Sequence, residues 1–260
     1  MTSTDRRAAL RTGAGLLAGA AVTAACAPSG TGAPDSPGTG QPPAAPAADA
    51  PAAPGPRRFP GSPEQITHGP RTRARVALTF HGQGDPALAR ALLDTAERHG
   101  ARLTVLAVGT WLDDHPEMAR RVLDGGHDLG NHTQNHLDIG AMPEAEARAE
   151  ITACADRLKR LTGSIGTWFR PSRAARASPL VARLAREAGY PHVLSYDVDS
   201  LDFTSPGADA VTHTVLAEVR PGSVVSLHCG YPDTVAALPA VLTALDRRGL
   251  RAVTTTELLS

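Results

Sequence analysis

The sequence predicts an α/β domain built on a parallel sheet, and three observations carry that prediction. From Arg75 onward, short apolar runs alternate with helix-period segments, the β-then-α order that a parallel sheet with helical crossovers requires. Ionisable residues stand directly after apolar runs at His81, His132 and His228, and a parallel sheet gathers its strand C-termini on one rim or edge. Pro, Ala, Gly, Ser and Thr dominate residues 27–61, so fewer than about 200 residues remain to build one medium-sized core. Periodicity fits a closed barrel and an open doubly wound sheet equally.

Taken in order, residues 76–80 read as a buried strand followed by a helix over 86–99. Pro86 suits the first helical turn and Gly100 the stop. Residues 103–108 form the second strand, 115–123 a helix ended by Gly125-Gly126, and 127–130 a short strand leading into Asn131-His132. A long amphipathic helix covers 143–161. Strands at 167–169, 192–196, 223–227 and 251–253 alternate with helices at 179–188, 208–219 and 233–248.

The N-terminus reads as an export signal over 1–25. Arg6 and Arg7 precede a small-residue apolar run over 12–25, too short and too rich in Ala and Gly for a permanent membrane helix. The paired arginines resemble a twin-arginine signal, and Thr23-Ala24-Ala25-Cys26 resembles a bacterial lipobox that would leave a lipid on Cys26. The expected product is an exported, monomeric lipoprotein, anchored in the membrane and facing outward. Residues 27–66 are expected to be a disordered spacer, because such a composition buries too little surface to offset chain entropy. Lys plus Arg equal Asp plus Glu, at 26 each, and this balance argues against nucleic acid as a partner. Cys154 and Cys229 are expected to be buried free thiols.

The sharpest local signal is His132-Thr133-Gln134-Asn135-His136. Histidines four apart lie on one helical face or turn and can share a metal ion. Neutral imidazoles suit zinc, cobalt or nickel.

With Thr79-Phe80, Gly130-Asn131-His132 with His136, Phe169-Arg170-Pro171, Asp199-Ser200-Leu201-Asp202-Phe203 and Leu227-His228 in this order, the chain resembles the NodB-type polysaccharide deacetylases, carbohydrate esterases of family four, over about 75–259. The resemblance implies a distorted (β/α) barrel of fewer than eight strands across 67–260. It also implies a metal-dependent hydrolase, zinc by preference, that removes N-acetyl groups from an amino-sugar polymer such as peptidoglycan or chitin. By the same resemblance His132 and His136 hold the metal and His228 protonates the departing amine. Asp199 holds that histidine, Arg170 positions the catalytic base, and Phe203, Ser226 and Leu227 shape the acetyl pocket.

The first motif departs from the family, which has two adjacent aspartates after Thr-Phe. Here His81 and Gly82 stand in their places, and Asp85 follows on a loop with Gly82 and Gly84. Three arrangements compete. His81 is the base and Asp85 completes the metal site; or His81 is a third metal ligand and Asp85 the base; or the site is silent and binds glycan only. A plainer reading makes Asp85 the cap of the following helix, ahead of Pro86. Ser226, Phe203 and Pro171-Ser172-Arg173 also differ from the family pattern, which leaves room for another acyl group, including an O-acetyl ester.

Overall fold

The structure is a computed structural model that describes residues 52–260. The export signal, Cys26 and the start of the spacer lie outside the described residues.

Strand β1 (Gln65–Ile66) precedes β2 (Arg75–Gly82), α1 (Pro86–Arg98) and β3 (Thr104–Ala107). Helices α2 (Gly109–Asp114) and α3 (Glu117–Asp124) lead to β4 (Asp128–Asn131), followed by α4 (Glu144–Thr162) and α5 (Pro179–Glu187). The short β5 (Val193–Leu194) and β6 (Val198–Asp199) precede α6 (Ala208–Glu218), β7 (Val224–His228), α7 (Pro232–Arg247), β8 (Arg251–Ala252) and α8 (Thr255–Leu259). The main sheet runs β4-β3-β2-β7-β6, with β8 pairing β2, and every pairing between these strands is parallel.

Beyond β4 the wall continues through one residue, Phe169, which bridges Asn131 and Val193 in parallel. Next to it β5 pairs β1. The Asp197 N–H donates to the Val224 carbonyl, and an antiparallel bridge joins His68 to Ser223. The sheet therefore curls into a distorted barrel.

Alternation along the central strand decides what faces the lumen. Val76, Leu78 and Phe80 join the large cluster with Leu92, Val122 and Leu238 on the helix side. Ala77 packs the other way, with Leu106, Trp168 and Val224. Thr79 and His81 share the face of Ala77, so His81 ends an inward-facing row at the strand's C-terminal end. The sequence-predicted elements are present, with three differences. The expected strand at 167–169 is reduced to Phe169, the expected helix at 115–123 starts at Glu117 with α2 before it, and β1, β6 and α8 are additional.

The expected spacer over 27–66 ends earlier than its composition suggests. Phe59 is buried and stacks on Trp168 at 5.3 Å, and its N–H donates to His192 Nε2 at 3.0 Å. The Ala53 N–H donates to the Thr162 carbonyl, and Ser164 Oγ to the Pro54 carbonyl. One aromatic ring and a few hydrogen bonds are enough to fasten this Pro/Ala stretch to the domain. Among the described residues no helix is long and apolar enough to cross a membrane.

Candidate active site

The strand ends meet around a cavity of ≈ 350 Å³, whose walls include His81, His132, His136, Asp199, Phe203 and His228. Register explains the meeting. His81 of β2 pairs directly with His228 of β7. His132 follows β4, and the bridge from Asn131 to Phe169 sets Arg170 beside it. The Arg170 N–H donates to the Asn131 carbonyl at 3.0 Å, and His132 Nδ1 lies 3.0 Å from the Arg170 carbonyl.

Arg170 is fully buried and spends its donors inside the protein: Nε on the Leu194 carbonyl, Nη2 on the Ser195 carbonyl, Nη1 on His81 Nε2 at 3.1 Å. An arginine only donates, so His81 Nε2 accepts. Burial pushes Arg170 down to about 9, opposed in part by Tyr196 and Asp199. Burial, followed by the neighbouring histidines and Arg170, holds His81 well below the usual imidazole value.

His228 is held by a carboxylate, and here the structure corrects the sequence reading. The partner is Asp202, with Oδ1 2.7 Å from His228 Nδ1. Asp202 Oδ2 accepts from the His228 backbone N–H at 2.8 Å and from Thr234 Oγ1 at 2.6 Å. Asp199 lines the cavity but caps its own loop, accepting from the Leu201 N–H at 3.2 Å. A left-handed Leu201, φ 55°, turns the chain between the two aspartates. The sequence contains no signal for that reversal.

The remaining expected residues divide cleanly. Phe203 stands at the mouth, 47% exposed, with its ring 5.7 Å from that of His228. Ser226 lines the cavity, whereas Leu227 is buried among the helix-side core residues and does not. Residues 226 and 228 share a strand face and 227 takes the other, a signal that period-two reading supplies. Asp85 is exposed and accepts from the Ala87 N–H at 2.8 Å, capping α1. It does not line the cavity, so neither the metal role nor the base role proposed for it is met. Among the described residues, the five non-glycine residues with positive φ lie in the loops around this rim: Thr133, His136, Arg173, Leu201 and Ser205. Backbone strain of this kind concentrates at functional sites.

The donors that a metal would need are only partly present. The His132 Nδ1–H donates to the Arg170 carbonyl, so Nε2 keeps its lone pair, and that buried atom has no partner. Burial holds His132 well below the usual imidazole value and lowers His136 as well, so both imidazoles are kept neutral, as metal donors must be. The two rings lie 5.0 Å apart. A third donor is missing. His81 stacks flat on His132 at 4.2 Å and 8°, and both of its nitrogens are engaged. At Gly82 a Cβ would lie 3.0 Å from Val105 Cγ1 and 3.1 Å from Trp111 Cζ3. Among the described residues no group of three metal-binding side chains forms. A catalytic zinc takes three protein ligands and an open position, so this set fits a pair of ligands and falls one short.

Fold and site together define a class: a distorted parallel α/β barrel with a histidine-aspartate pair and a histidine cluster at its rim. The family model for polysaccharide deacetylase matches residues 68–193. The chitooligosaccharide deacetylase of Bradyrhizobium sp. (strain ANU 289) is 31% identical over 197 residues, covering 67% of this chain and 85% of that protein. A peptidoglycan-N-acetylglucosamine deacetylase of Bacillus cereus is 31% identical over 194 residues, covering 73% and 90%. A solved mutant of a CE4-family pseudoenzyme with restored enzymatic activity superposes with a TM-score of 0.71 at 25% identity, covering 76% of this chain and 72% of that one; the wild-type pseudoenzyme is from Bacillus anthracis. The chain belongs to the polysaccharide deacetylase family.

Proposed function

We propose that the chain hydrolyses N-acetyl groups on an amino-sugar polymer of the peptidoglycan or chitin kind. One observation carries the reading: His228, on the wall of a sugar-sized cavity, is clamped by the fully buried carboxylate of Asp202. Such a pair suits proton transfer, because the carboxylate fixes the orientation of the ring. The names of the similar proteins, a chitooligosaccharide and a peptidoglycan deacetylase, support the substrate class. The exposed Phe203 ring and Tyr231 flank His228 and offer apolar faces to a pyranose.

Zinc, cobalt or nickel is the expected cofactor, and His132 and His136 supply two donors for it. Acetate release measured with added metal and again after chelation decides its part.

A second reading, a glycan-binding protein without hydrolysis, is favoured by a specific observation. Arg170 meets neutral His81 where the resemblance calls for an aspartate, and one similar structure derives from a pseudoenzyme. The test is acetate release from chitooligosaccharide, peptidoglycan and O-acetylated xylan. Release from the N-acetylated polymers alone is expected. Folded protein that binds the polymers and releases no acetate upholds the second reading, and release from xylan alone makes the chain an esterase.

Export and lipid attachment at Cys26 complete the proposal, supported by Thr23-Ala24-Ala25-Cys26 and the Pro/Ala-rich stretch after it. The mature protein should partition into detergent and carry the mass of a lipidated Cys26. Cys26→Ser should abolish both.

A further inference from the structure

The charged side chains on and behind the cavity wall hold partners within the chain, Arg173 excepted. Asp202 is taken up by His228, Thr234 and a backbone N–H. Asp199 accepts from the Leu201 N–H at 3.2 Å and from the Tyr196 hydroxyl at 3.4 Å. Arg170 spends its donors on His81 and two carbonyls. Arg173 lines the cavity and is exposed. Among the described residues no carboxylate, Asp199 included, forms an ion pair with it.

The loop that carries Arg173 is pinned on both sides of it. The buried Ser172 donates to the Leu137 carbonyl and accepts from Thr133 Oγ1 at 3.0 Å. Ser195 Oγ donates to the Ala175 carbonyl, and the Ala177 N–H donates to Gln65 Oε1 at 2.8 Å. Between these anchors Arg173 is held left-handed at φ 54°, a conformation that costs a residue with a long side chain free energy. Pro171, Ala174 and Ala175 line the cavity beside it, small side chains that leave the guanidinium uncovered. Its planar fork of donors matches a carboxylate in two parallel hydrogen bonds. On β2, His81 and Gly82 stand where the resemblance calls for two aspartates, so that strand puts no negative charge against an incoming anion.

We propose that Arg173 is a specificity-determining residue that binds a carboxylate borne by the substrate beside its N-acetyl group, which selects an acidic amino-sugar polymer over a neutral one. This rests on the proposed function and narrows it. Peptidoglycan carries a lactyl carboxylate on its muramic acid units, whereas chitin is uncharged, so the arginine favours the first. The gain should be modest. Exposed ion pairs contribute little, and a hydrogen bond to a charged group is worth about tenfold in affinity at the lower end of its range.

The experiment is calorimetric binding to full-length protein, with chelator present so that no metal on His132 and His136 holds the carboxylate. The probes are the disaccharide of N-acetylglucosamine and N-acetylmuramic acid, its carboxyl methyl ester, and N,N′-diacetylchitobiose. Wild type should bind the acid about tenfold tighter than the ester or the chitobiose, and added salt should shrink the difference. Arg173→Asn removes the charge with a residue that tolerates the left-handed backbone, so it should bind acid and ester equally. Arg173→Lys should keep part of the preference, because it retains the charge and loses the fork. Equal affinity of wild type for acid and ester overturns the proposal, as does a preference that survives in Arg173→Asn, or no binding of any probe. Acetate release from the same probes, measured with metal in place of chelator, separates the two claims. The preference without acetate upholds Arg173 and sinks the hydrolase reading; acetate without the preference does the opposite.

Discussion

The two halves of the cavity are finished to different degrees. On the β7 side the side chains form a hydrogen-bonded row: His228 is tied to Asp202, Asp202 to Thr234 and a backbone N–H, and the row continues through His81 to Arg170. On the β4 side His132 turns a bare, buried Nε2 to the site, and His136 is beside it in a left-handed backbone conformation. A buried acceptor without a partner carries a cost that the fold must offset elsewhere. The contrast teaches that the β7 row is satisfied by hydrogen bonds within the chain, while the histidine pair leaves one buried acceptor open.

The largest effect should come from breaking the finished half. His228→Ala or Asp202→Asn should cut acetate release by about 10²- to 10⁴-fold, while metal uptake by the His132 and His136 side stays as in wild type. Asp199→Asn is the paired control, because Asp199 lines the cavity but hydrogen-bonds its own loop rather than His228. A larger loss in Asp199→Asn than in Asp202→Asn would return the holding role to Asp199.

The unfinished half is sharpened by supplying what it lacks. Wild type should bind zinc weakly, as two imidazoles do. His81→Asp and Gly82→Asp together should tighten zinc binding, measured by calorimetry, provided Val105→Ala and Trp111→Leu are added to clear the side-chain contacts at position 82. The gain should exceed the roughly 10- to 100-fold that outer-shell changes produce in metal sites. Tight zinc binding by wild type, lost in His132→Ala, would show that the pair recruits a further donor unaided.

Much of this arrangement is legible in the residue order, and the exceptions have physical causes. Helix α1 is announced by Asp85-Pro86 and α4 by its long amphipathic pattern. The long β2 and β7 are readable as apolar runs, and with them His81, His132, Arg170 and His228 fall on one rim. The two-residue strands β1, β5 and β6 have no pattern of their own and exist through their partners' register. Helix α8 was readable in principle, since Thr254 and Glu257 form a capping box. The choice between Asp199 and Asp202 was not, because both are carboxylates on one short loop and a single left-handed residue decides which one reaches His228. Phe59 is hidden for the opposite reason: one aromatic in a Pro/Ala stretch has no pattern of its own, and its partners Trp168 and His192 lie more than a hundred residues away in the chain.

Acidification should expose the half that depends on neutral histidines. Burial depresses His81 and His132 in the folded protein, whereas the unfolded chain titrates near about pH 6.5. The folded state therefore binds fewer protons below that pH, so the contribution is complete above about 6.5 and is lost as pH falls through it toward the folded values. Each histidine contributes at most about 1.4 kcal/mol per pH unit. Denaturant midpoints should fall between pH 7 and pH 5, and less steeply in His81→Asn. Equal slopes in the two proteins would mean that His81 is already protonated in the native site.

The smallest effect concerns Asp85, the carboxylate that sequence reading could place in either half. Its side chain accepts from the Ala87 N–H and caps a helix that begins with Pro86. Capping side chains of this kind contribute about 1 kcal/mol, and Asp85 is exposed with no contact to the cavity. Asp85→Ala should therefore lower stability by about 1 kcal/mol and leave acetate release and zinc binding unchanged, while Asp85→Ser should recover most of the stability because a hydroxyl caps the same N–H groups. A helix cap and a catalytic carboxylate respond differently to that pair. Serine replaces the first and cannot replace the second, so a rate lost equally in both variants would place Asp85 in the site after all.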